Sequence, residues 1–238
     1  MATHQFTPVL GKRYRLTTLN AGGRVDEDSQ QIVGDGFVTV TLSSEVEDGV
    51  EITQRKFTGG LCVNEAGAPS FKHFTLEAEF CGVNPDLLSG MTNAEPYMDA
   101  AGDVAGFTVP EGTIDKAFAL EIWMGLSSAA VAEGEDEASG YLLLPYVRAG
   151  VLGDIEMGGE DAVTFSMTGA TTRGGNGWGV GPYDVVYAPG TDGGAPTPAA
   201  LPEALDPLDH LLLMDTGLAV PEITDELLPV LTGGGTGE

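Results

Sequence analysis

The sequence predicts a mainly β protein, a β-sandwich or barrel-like domain with one short flanking α-helix and long loops. Short apolar, β-rich runs recur along the chain and are separated by clusters of Gly, Pro and Asp, the pattern of short strands joined by turns. Glycine supplies 35 of the 238 residues, about twice its usual share of ~7 %. One run also alternates apolar and charged residues with the period of a strand. Many short strands with such turns are typical of a sandwich or a barrel.

The predicted strands follow these runs in chain order. They cover residues 36–42, 50–54, 71–83, 117–126, 141–151, 162–169 and 210–215. The third is the clearest, because Phe74, Leu76 and Phe80 alternate with Glu77 and Glu79. This spacing places an apolar row on one sheet face and a charged row on the other.

One helix is predicted directly after that strand. Asn84 suits the N-cap, Pro85 the first helical position and Asp86 the positive end of the helix dipole. Gly90 is expected to end the helix after about two turns.

The chain is predicted to form one β domain over residues 31–216. An N-terminal arm (1–30) precedes it and an extended C-terminal arm (217–238) follows it. Two stretches inside the domain are expected to be mobile insertions, because residues 127–140 are rich in acids and residues 188–204 are rich in proline.

The charge excludes several function classes. Ten Lys and Arg face 36 Asp and Glu, so the formal net charge is −26 and the pI is about 4.1. Nucleic acids and anionic membranes are bound mainly through cations, so neither is expected as a direct partner. No apolar stretch reaches the ~18 residues that span a bilayer, and the N-terminus lacks signal-peptide order. We therefore expect assembly in a cytoplasm, with Cys62 and Cys81 reduced and packed.

No motif in the chain predicts catalysis or a cofactor. The three histidines are isolated from other metal-ligand residues, and the best of them, His210, is more simply part of a polar turn entering a strand. An EF-hand beginning at Asp26 fails because Gln31 and Phe37 stand where Gly and Glu are needed. Nucleotide-binding and serine-nucleophile motifs are also absent from the sequence. The prediction is a protein that is not an enzyme, with no metal and no cofactor.

Residues 163–186 have a sequence that strand rules alone do not explain, VTFSMTGATTRGGNGWGVGPYDVV. It resembles a motif of major tail tube proteins of long, non-contractile-tailed (siphovirus-type) phages of actinobacteria. Other segments agree in order, and the similarity runs from about residue 30 to residue 215. They are Val50–Lys56, Gly60–Asn64, Phe74–Asp86, Phe118–Trp123, Tyr141–Pro145 and Leu205–His210.

The resemblance implies a structural virion protein of the phage tail. Such proteins are β-sandwiches that assemble into stacked hexameric rings and form the tube through which DNA is ejected. The implied partners are other copies of the chain and the tape measure, tail terminator and tail-tip proteins, with double-stranded DNA passing through unbound. A ring of six copies would carry six times −26, or −156, formal charges. An acidic lumen repels phosphates and gives them no binding site.

Charged residues are assigned to two surfaces as hypotheses. The lumen-lining residues are expected to be Glu77, Glu79, Glu45, Glu47, Asp48 and Glu51, and for each an outer solubilising position is equally compatible with the sequence. Seven of the ten cations lie in the first 72 residues, beside nine acids, while the remaining 166 residues carry 27 acids and three cations. The cations expected to pair with acids of neighbouring subunits are Arg13, Arg15, Arg24, Arg55 and Lys56, with pairs inside one chain as the alternative.

Two aromatic residues are expected to anchor the subunit interface. Trp178 and Tyr183 lie in or beside the glycine-rich segment and are large enough to dominate a contact. A corner packed against the protein's own core would use the same residues. Trp123, within a predicted strand, is expected in the core.

A rival function belongs to another class. Excess acid with few cations is also typical of a halophilic or surface-exposed β-sandwich that binds a ligand. A glycan-binding or hydrolytic sandwich is a weaker third hypothesis, because it needs an aromatic-lined cleft.

Overall fold

The computed structural model describes residues 8–81, 84–126, 139–156, 164–175, 178–181, 186–188, 197–199, 201–216, 220–224 and 226–230. One helix and sixteen strands lie in these ranges. The helix is α1 (Pro85–Met91). The strands are β1 (Pro8–Thr18), β2 (Gln30–Gly34), β3 (Phe37–Glu47), β4 (Glu51–Arg55), β5 (Leu61–Ala66), β6 (Ser70–Cys81), β7 (Glu95–Met98), β8 (Val104–Thr108), β9 (Ala117–Leu126), β10 (Ser139–Arg148), β11 (Val151–Glu156), β12 (Thr164–Thr172), β13 (Val186–Ala188), β14 (Thr197–Ala199), β15 (Leu212–Thr216) and β16 (Leu228–Pro229).

Ten strands form one antiparallel sheet. Its main order is β16-β2-β1-β9-β10-β12-β6-β3, with β11 paired to β12 and β15 paired to β10. The other six strands form three separate two-stranded hairpins, β4–β5, β7–β8 and β13–β14. The fold is mainly β with one short helix, as the sequence predicts.

The sheet folds back on itself, which gives the sandwich-like arrangement. β10 and β12 are paired only at Val147–Thr172 and Arg148–Thr171, so the strands before and after this junction diverge. The ring of Tyr14 on β1 lies 5.9 Å from that of Phe37 on β3 and 5.7 Å from that of Phe80 on β6. Strands distant in the sheet order therefore meet face to face.

The first hydrophobic core fills the space between these two halves. The alternation predicted for the third strand is confirmed, since Leu76, Ala78 and Phe80 on β6 are buried in this core. Helix α1 adds Leu87, Leu88 and Met91. The helix thus covers part of the core rather than standing apart from the sheet.

A second core lies on the opposite face of β9 and β10. It contains Ala119 and Trp123 from β9 and Tyr141 and Leu143 from β10, together with Trp178 and Leu201. Trp123 is fully buried, which confirms its predicted place in the core. The strand pair β9–β10 is therefore covered on both faces.

Helix α1 begins where the sequence predicts and ends slightly later. The side-chain oxygen of Asn84 accepts the backbone N–H groups of Asp86 at 3.0 Å and Leu87 at 3.1 Å, as an N-cap does. Gly90 lies inside the helix rather than ending it. A Cβ atom there would lie 2.8 Å from Cδ2 of Leu16, so this glycine allows the helix to approach β1.

The predicted domain boundaries need two corrections. Residues 8–18 do not belong to an N-terminal arm, because β1 lies inside the sheet between β2 and β9. In the predicted C-terminal arm, β16 pairs with β2, and Oγ1 of Thr224 accepts the N–H of Val33 at 3.0 Å. The described part of this segment therefore lies along the sheet edge.

The two predicted insertions are only partly covered by the structure. Of residues 127–140, the stretch 127–138 lies outside the described residues. Within residues 188–204, β14 pairs with β13 and Leu201 is buried in the second core. The described part of the Pro-rich insertion is therefore held by the fold.

Candidate assembly and lumen surfaces

One face of the outer strands is lined with carboxylates and hydroxyls, and we call it the carboxylate face. On β6, Glu77 is exposed and Glu79 is half-buried. Their neighbours on β3 are Thr41 and Thr39, and Ser166 on β12 pairs with Glu79. The row continues along β3 to Glu45, which is exposed. This face consists of Thr39, Thr41, Ser43, Glu45, His73, Thr75, Glu77, Glu79, Ser166 and Thr171.

The structure brings only some of the predicted lumen residues together. Glu45, Glu77 and Glu79 share the carboxylate face, because side chains two residues apart in a strand lie on the same side. Glu47, Asp48 and Glu51 are exposed but follow an irregularity in the β3–β6 register. These three acids belong to a different surface, which extends from the end of the sheet.

That surface is a projecting hairpin, residues 43–72, formed by the end of β3, by β4 and β5, and by the start of β6; Ser43 and Glu45, at its base, also belong to the carboxylate face. Every residue in it except Gly49 is exposed. At about 3.3 Å per residue, the outgoing chain has a contour length of roughly 40 Å. Its exposed large apolar side chains are Val46, Val50, Ile52, Phe57, Leu61, Val63 and Phe71.

The two faces of the outer part of the projecting hairpin differ. Thr53 pairs with Asn64, and its hydroxyl lies 3.1 Å from the side-chain oxygen of Asn64. The opposite face carries the exposed apolar residues Ile52 and Val63 together with their cross-strand partners Glu65 and Gln54. A two-stranded ribbon is marginally stable alone, and exposed apolar patches mark interaction sites.

The tip of the projecting hairpin is cationic. Arg55 and Lys56, both predicted at a subunit interface, lead into the turn and are exposed. The turn closes through the N–H of Lys56, which donates to the carbonyl of Gly60 at 2.7 Å. Phe57 follows them and is fully exposed. Charge and apolar surface therefore coincide at this tip.

Arg15 is not available to a neighbouring subunit, and its predicted interface role is wrong. Its side chain is buried, and its Nε and Nη2 atoms lie 2.5 and 2.7 Å from the two carboxylate oxygens of Glu121. The hydroxyl of Tyr141 donates to the same carboxylate at 2.6 Å. The guanidinium also lies 5.7 Å from the ring centre of Trp123. These contacts fix Arg15 inside its own chain.

The predicted interface cations Arg13, on β1, and Arg24, in the loop after it, differ in exposure. Arg13 is half-buried, and its Nη1 lies 3.3 Å from a carboxylate oxygen of Asp35, so it has an ion pair inside the chain. Arg24 is exposed. Only Arg24, Arg55 and Lys56 among the five predicted cations are therefore exposed side chains.

The structure describes one of the two predicted aromatic anchors, Trp178. Trp178 is buried, with 4 % of its surface exposed, and belongs to the second core with Leu201. The backbone N–H of Trp178 donates to the carbonyl of Gly175 at 2.9 Å and closes a tight turn. Trp178 thus packs as the internal corner that was the alternative prediction. Tyr183 lies outside the described residues.

Other candidate sites are less developed. Among the described residues, no group of three or more His, Cys, Asp or Glu side chains is arranged to hold a metal ion. His210 lies with its Nδ1 2.9 Å from the hydroxyl of Thr172, and partial burial lowers its pKa.

Cys62 and Cys81 are free thiols, but both are exposed, so the expectation that they are packed is wrong. Helices with the length and apolar character to cross a bilayer are not found in the described ranges.

A cleft of about 440 Å³ lies beside helix α1. Two of the three cations from the last 166 residues, Lys116 and Arg148, line it together with Asp115, Ser89 and Gln30. Its lining mixes these polar residues with apolar ones such as Leu19 and Leu227 and contains no aromatic residue.

No protein-family model matches this chain, and a search of curated proteins finds no significant relative. The fold and the surfaces described above therefore carry the functional argument.

Replacing Arg15 alone tests the buried ion pair. We expect Arg15→Met to lower the free energy of unfolding by about 3–5 kcal/mol, because it leaves Glu121 charged, buried and uncompensated. The triple variant Arg15→Met/Glu121→Leu/Tyr141→Phe is expected to recover most of that loss. Urea denaturation measures both, with the exposed Lys72→Met as control. A loss below about 1 kcal/mol for Arg15→Met would contradict the burial of the pair.

We expect the protein to lose stability at alkaline pH because of the buried hydroxyl of Tyr141. Burial raises the pKa of Tyr141 well above its usual value of 10, and the charge of Glu121 raises it further. Because the folded state holds this proton more tightly than the unfolded state, the stabilisation is complete below about pH 10 and is lost as pH rises above it.

The variant Tyr141→Phe removes this titration. At pH 7 it is expected to cost about 1.5–3 kcal/mol, the contribution of a hydrogen bond to a charged group, and the difference from wild type should shrink by pH 11. Urea titrations at the two pH values measure this. The exposed Tyr97→Phe serves as control, and a constant difference for Tyr141→Phe between the two pH values would contradict the assignment.

Proposed function

We propose that this protein is a tail tube subunit of a long, non-contractile-tailed phage, a structural virion protein without catalytic activity. Copies assemble into stacked hexameric rings in the host cytoplasm and form the conduit for DNA ejection. The observation that carries the proposal is the projecting hairpin with its exposed large apolar side chains. A chain that exposes such a surface gains stability by burying it against another molecule.

The carboxylate face supports the lumen part of the proposal. It presents hydroxyls, the imidazole of His73 and the carboxylates of Glu45, Glu77 and Glu79. Its residues on β3 and β6 include no Lys or Arg, and the nearest cation across the sheet is Arg148, the partner of Thr171 on β10. Phosphate binding depends on cations, so this face offers passing DNA no phosphate-binding site. The sequence resemblance of residues 163–186 to tail tube proteins points to the same function.

Assembly is tested directly by electron microscopy. We expect purified protein, concentrated and taken through a salt series, to form rings or hollow tubes of uniform width. Salt should favour assembly because it screens the repulsion between copies of charge −26. Monomers at every concentration and salt, together with no incorporation into phage tails, would contradict the proposal.

Charge reversal on the carboxylate face tests the lumen assignment. Tubes of Glu77→Lys/Glu79→Lys are expected to retain fluorescent duplex DNA at about 50 mM salt and to release it at higher salt, because phosphate contacts are salt-dependent. Wild-type tubes should not retain it. The control Glu203→Lys/Glu222→Lys makes the same charge change at exposed positions off this face. Equal retention by both variants would show that this face does not line the channel.

A second candidate function, an acidic ligand-binding module, is favoured by the cleft beside helix α1. Lys116 and Arg148 give that cleft a cationic side in an acidic chain. Salt separates the two functions, since a halophilic monomer unfolds at low ionic strength while a tube subunit stays folded there and associates as salt rises.

A further inference from the structure

The projecting hairpin has a counterpart in the hairpin β7–β8, which with Val109 we call the short hairpin (residues 95–109). Its inner face is held to the first core by Phe107, whose ring lies 6.0 Å from that of Phe165. On the outer face Tyr97 is opposite Gly106. Met98 is opposite Val104 beyond a register shift, and as the next residue in the strand Met98 points to the other face. Tyr97, Met98 and Val104 are exposed.

The outer face of the short hairpin has room for a contacting side chain. A Cβ atom added at Gly106 would meet no atom within 4 Å. The ring of Tyr97 therefore stands beside open space rather than against its own chain. Because Phe107 anchors the opposite face, the short hairpin presents the Tyr97 ring on a supported surface.

The tip of the projecting hairpin and the short hairpin have opposite charge. Residues 50–67, the outer part of the projecting hairpin, contain Arg55 and Lys56 at the tip and the acids Glu51 and Glu65 nearer the sheet, a net charge of zero, so the cationic part is the tip alone. Residues 95–109 contain three acids and no Lys or Arg, a net charge of −3. The N–H groups of Asp103 and Ala101 donate to the carboxylate of Asp99 and lower its pKa, so this acid remains ionised.

We infer that the projecting hairpin of one copy docks on the short hairpin of a second copy. Ile52 and Val63 pack against Tyr97 on the outer face of the second copy's short hairpin. Arg55 and Lys56 face its acids Glu95, Asp99 and Asp103. This inference rests on the proposed function only in requiring that copies associate, and it names the surface that receives the hairpin.

The contact joins two different surfaces of the same chain. Such a heterologous contact propagates from copy to copy, and it closes into a ring or continues as a filament according to its rotation. Reciprocal exchange of hairpins between two copies is the alternative geometry. Opposite charge on the two surfaces also disfavours the pairing of like hairpins.

Two charge-reversed variants test the docking. The first, Arg55→Glu/Lys56→Glu, makes the tip of the projecting hairpin acidic. The second, Glu95→Lys/Asp103→Lys, makes the short hairpin basic and leaves Asp99 intact, because its carboxylate accepts the N–H groups of its own turn. Each variant alone should associate at least about tenfold more weakly than wild type, since like charges then meet at the contact.

An equimolar mixture of the two variants is the decisive measurement. In the mixture each projecting hairpin finds a short hairpin of opposite charge on the other variant, so we expect association within about threefold of wild type. Analytical ultracentrifugation over a concentration series measures it. A matched pair of single variants, Lys56→Glu and its control Lys72→Glu, changes exposed lysines of the projecting hairpin. Only Lys56→Glu should weaken association. A mixture as weak as the separate variants would overturn the inference.

Cysteine cross-linking gives a second measurement that does not depend on charge. In a Cys62→Ser/Cys81→Ser background, one protein carries Thr58→Cys at the tip and another carries Ala101→Cys in the short hairpin; both positions are exposed. A disulfide dimer under mild oxidation is expected in the mixture, well above the amount from either protein alone.

The outcomes separate this inference from the proposed function. Wild-type tubes with neither charge rescue nor cross-linking would overturn the docking and leave the tube proposal standing. Charge rescue and cross-linking in closed dimers that never form hollow tubes would support the docking and overturn the tube proposal. A chain that stays monomeric and uncross-linked under every condition would overturn both.

Discussion

Burial of β9 and β10 on both faces is the constraint on which the rest of the structure depends. Glu121 alternates with Leu120 and Ile122, so it points into the second core, where a carboxylate needs a partner. Arg15 is its cross-strand neighbour on β1 and supplies that partner, with Tyr141 from β10 adding a hydrogen bond. A slip of one residue would move Arg15 to the other sheet face. The pair therefore fixes the register of β1 more than it adds net stability.

Sequence patterns over a few neighbouring residues predicted the strands and the helix start that depend on those residues alone. The strand 117–126 and the start of the helix at Asn84 agree with the structure, because alternation and capping are properties of a few neighbouring residues. β1 was missed because Gly11, Lys12, Arg13 and Arg15 give it the composition of an exposed segment. Its burial depends on Glu121, 106 residues later in the chain, and no local pattern reveals that partner. Gly90 was misread for the same reason, since its requirement comes from Leu16 on β1.

The candidate surfaces were predictable in part. Sequence periodicity placed Glu77 and Glu79 on the polar row of β6, but their grouping with Glu45 required the β3–β6 register. The sequence also predicted a strand near residues 50–54, yet apolar residues in a strand indicate burial by default. The exposure of Ile52 and Phe57 follows from where β4 and β5 lie, beyond the end of the sheet. Whether a strand face is covered is a tertiary property.

Charge and apolar surface have separate roles in the assembly of so acidic a chain. Copies of charge −26 repel one another over a Debye length of about 10 Å at 0.1 M salt, and this term carries no direction. The contacts of Arg55 and Lys56 act only at close range, so they select which surface is met and in which orientation. Apolar burial is non-directional and is not weakened by screening. Ile52 and Val63 supply affinity, and Arg55 and Lys56 set the orientation of the contact. Association can therefore strengthen as salt screens the repulsion between the acidic copies.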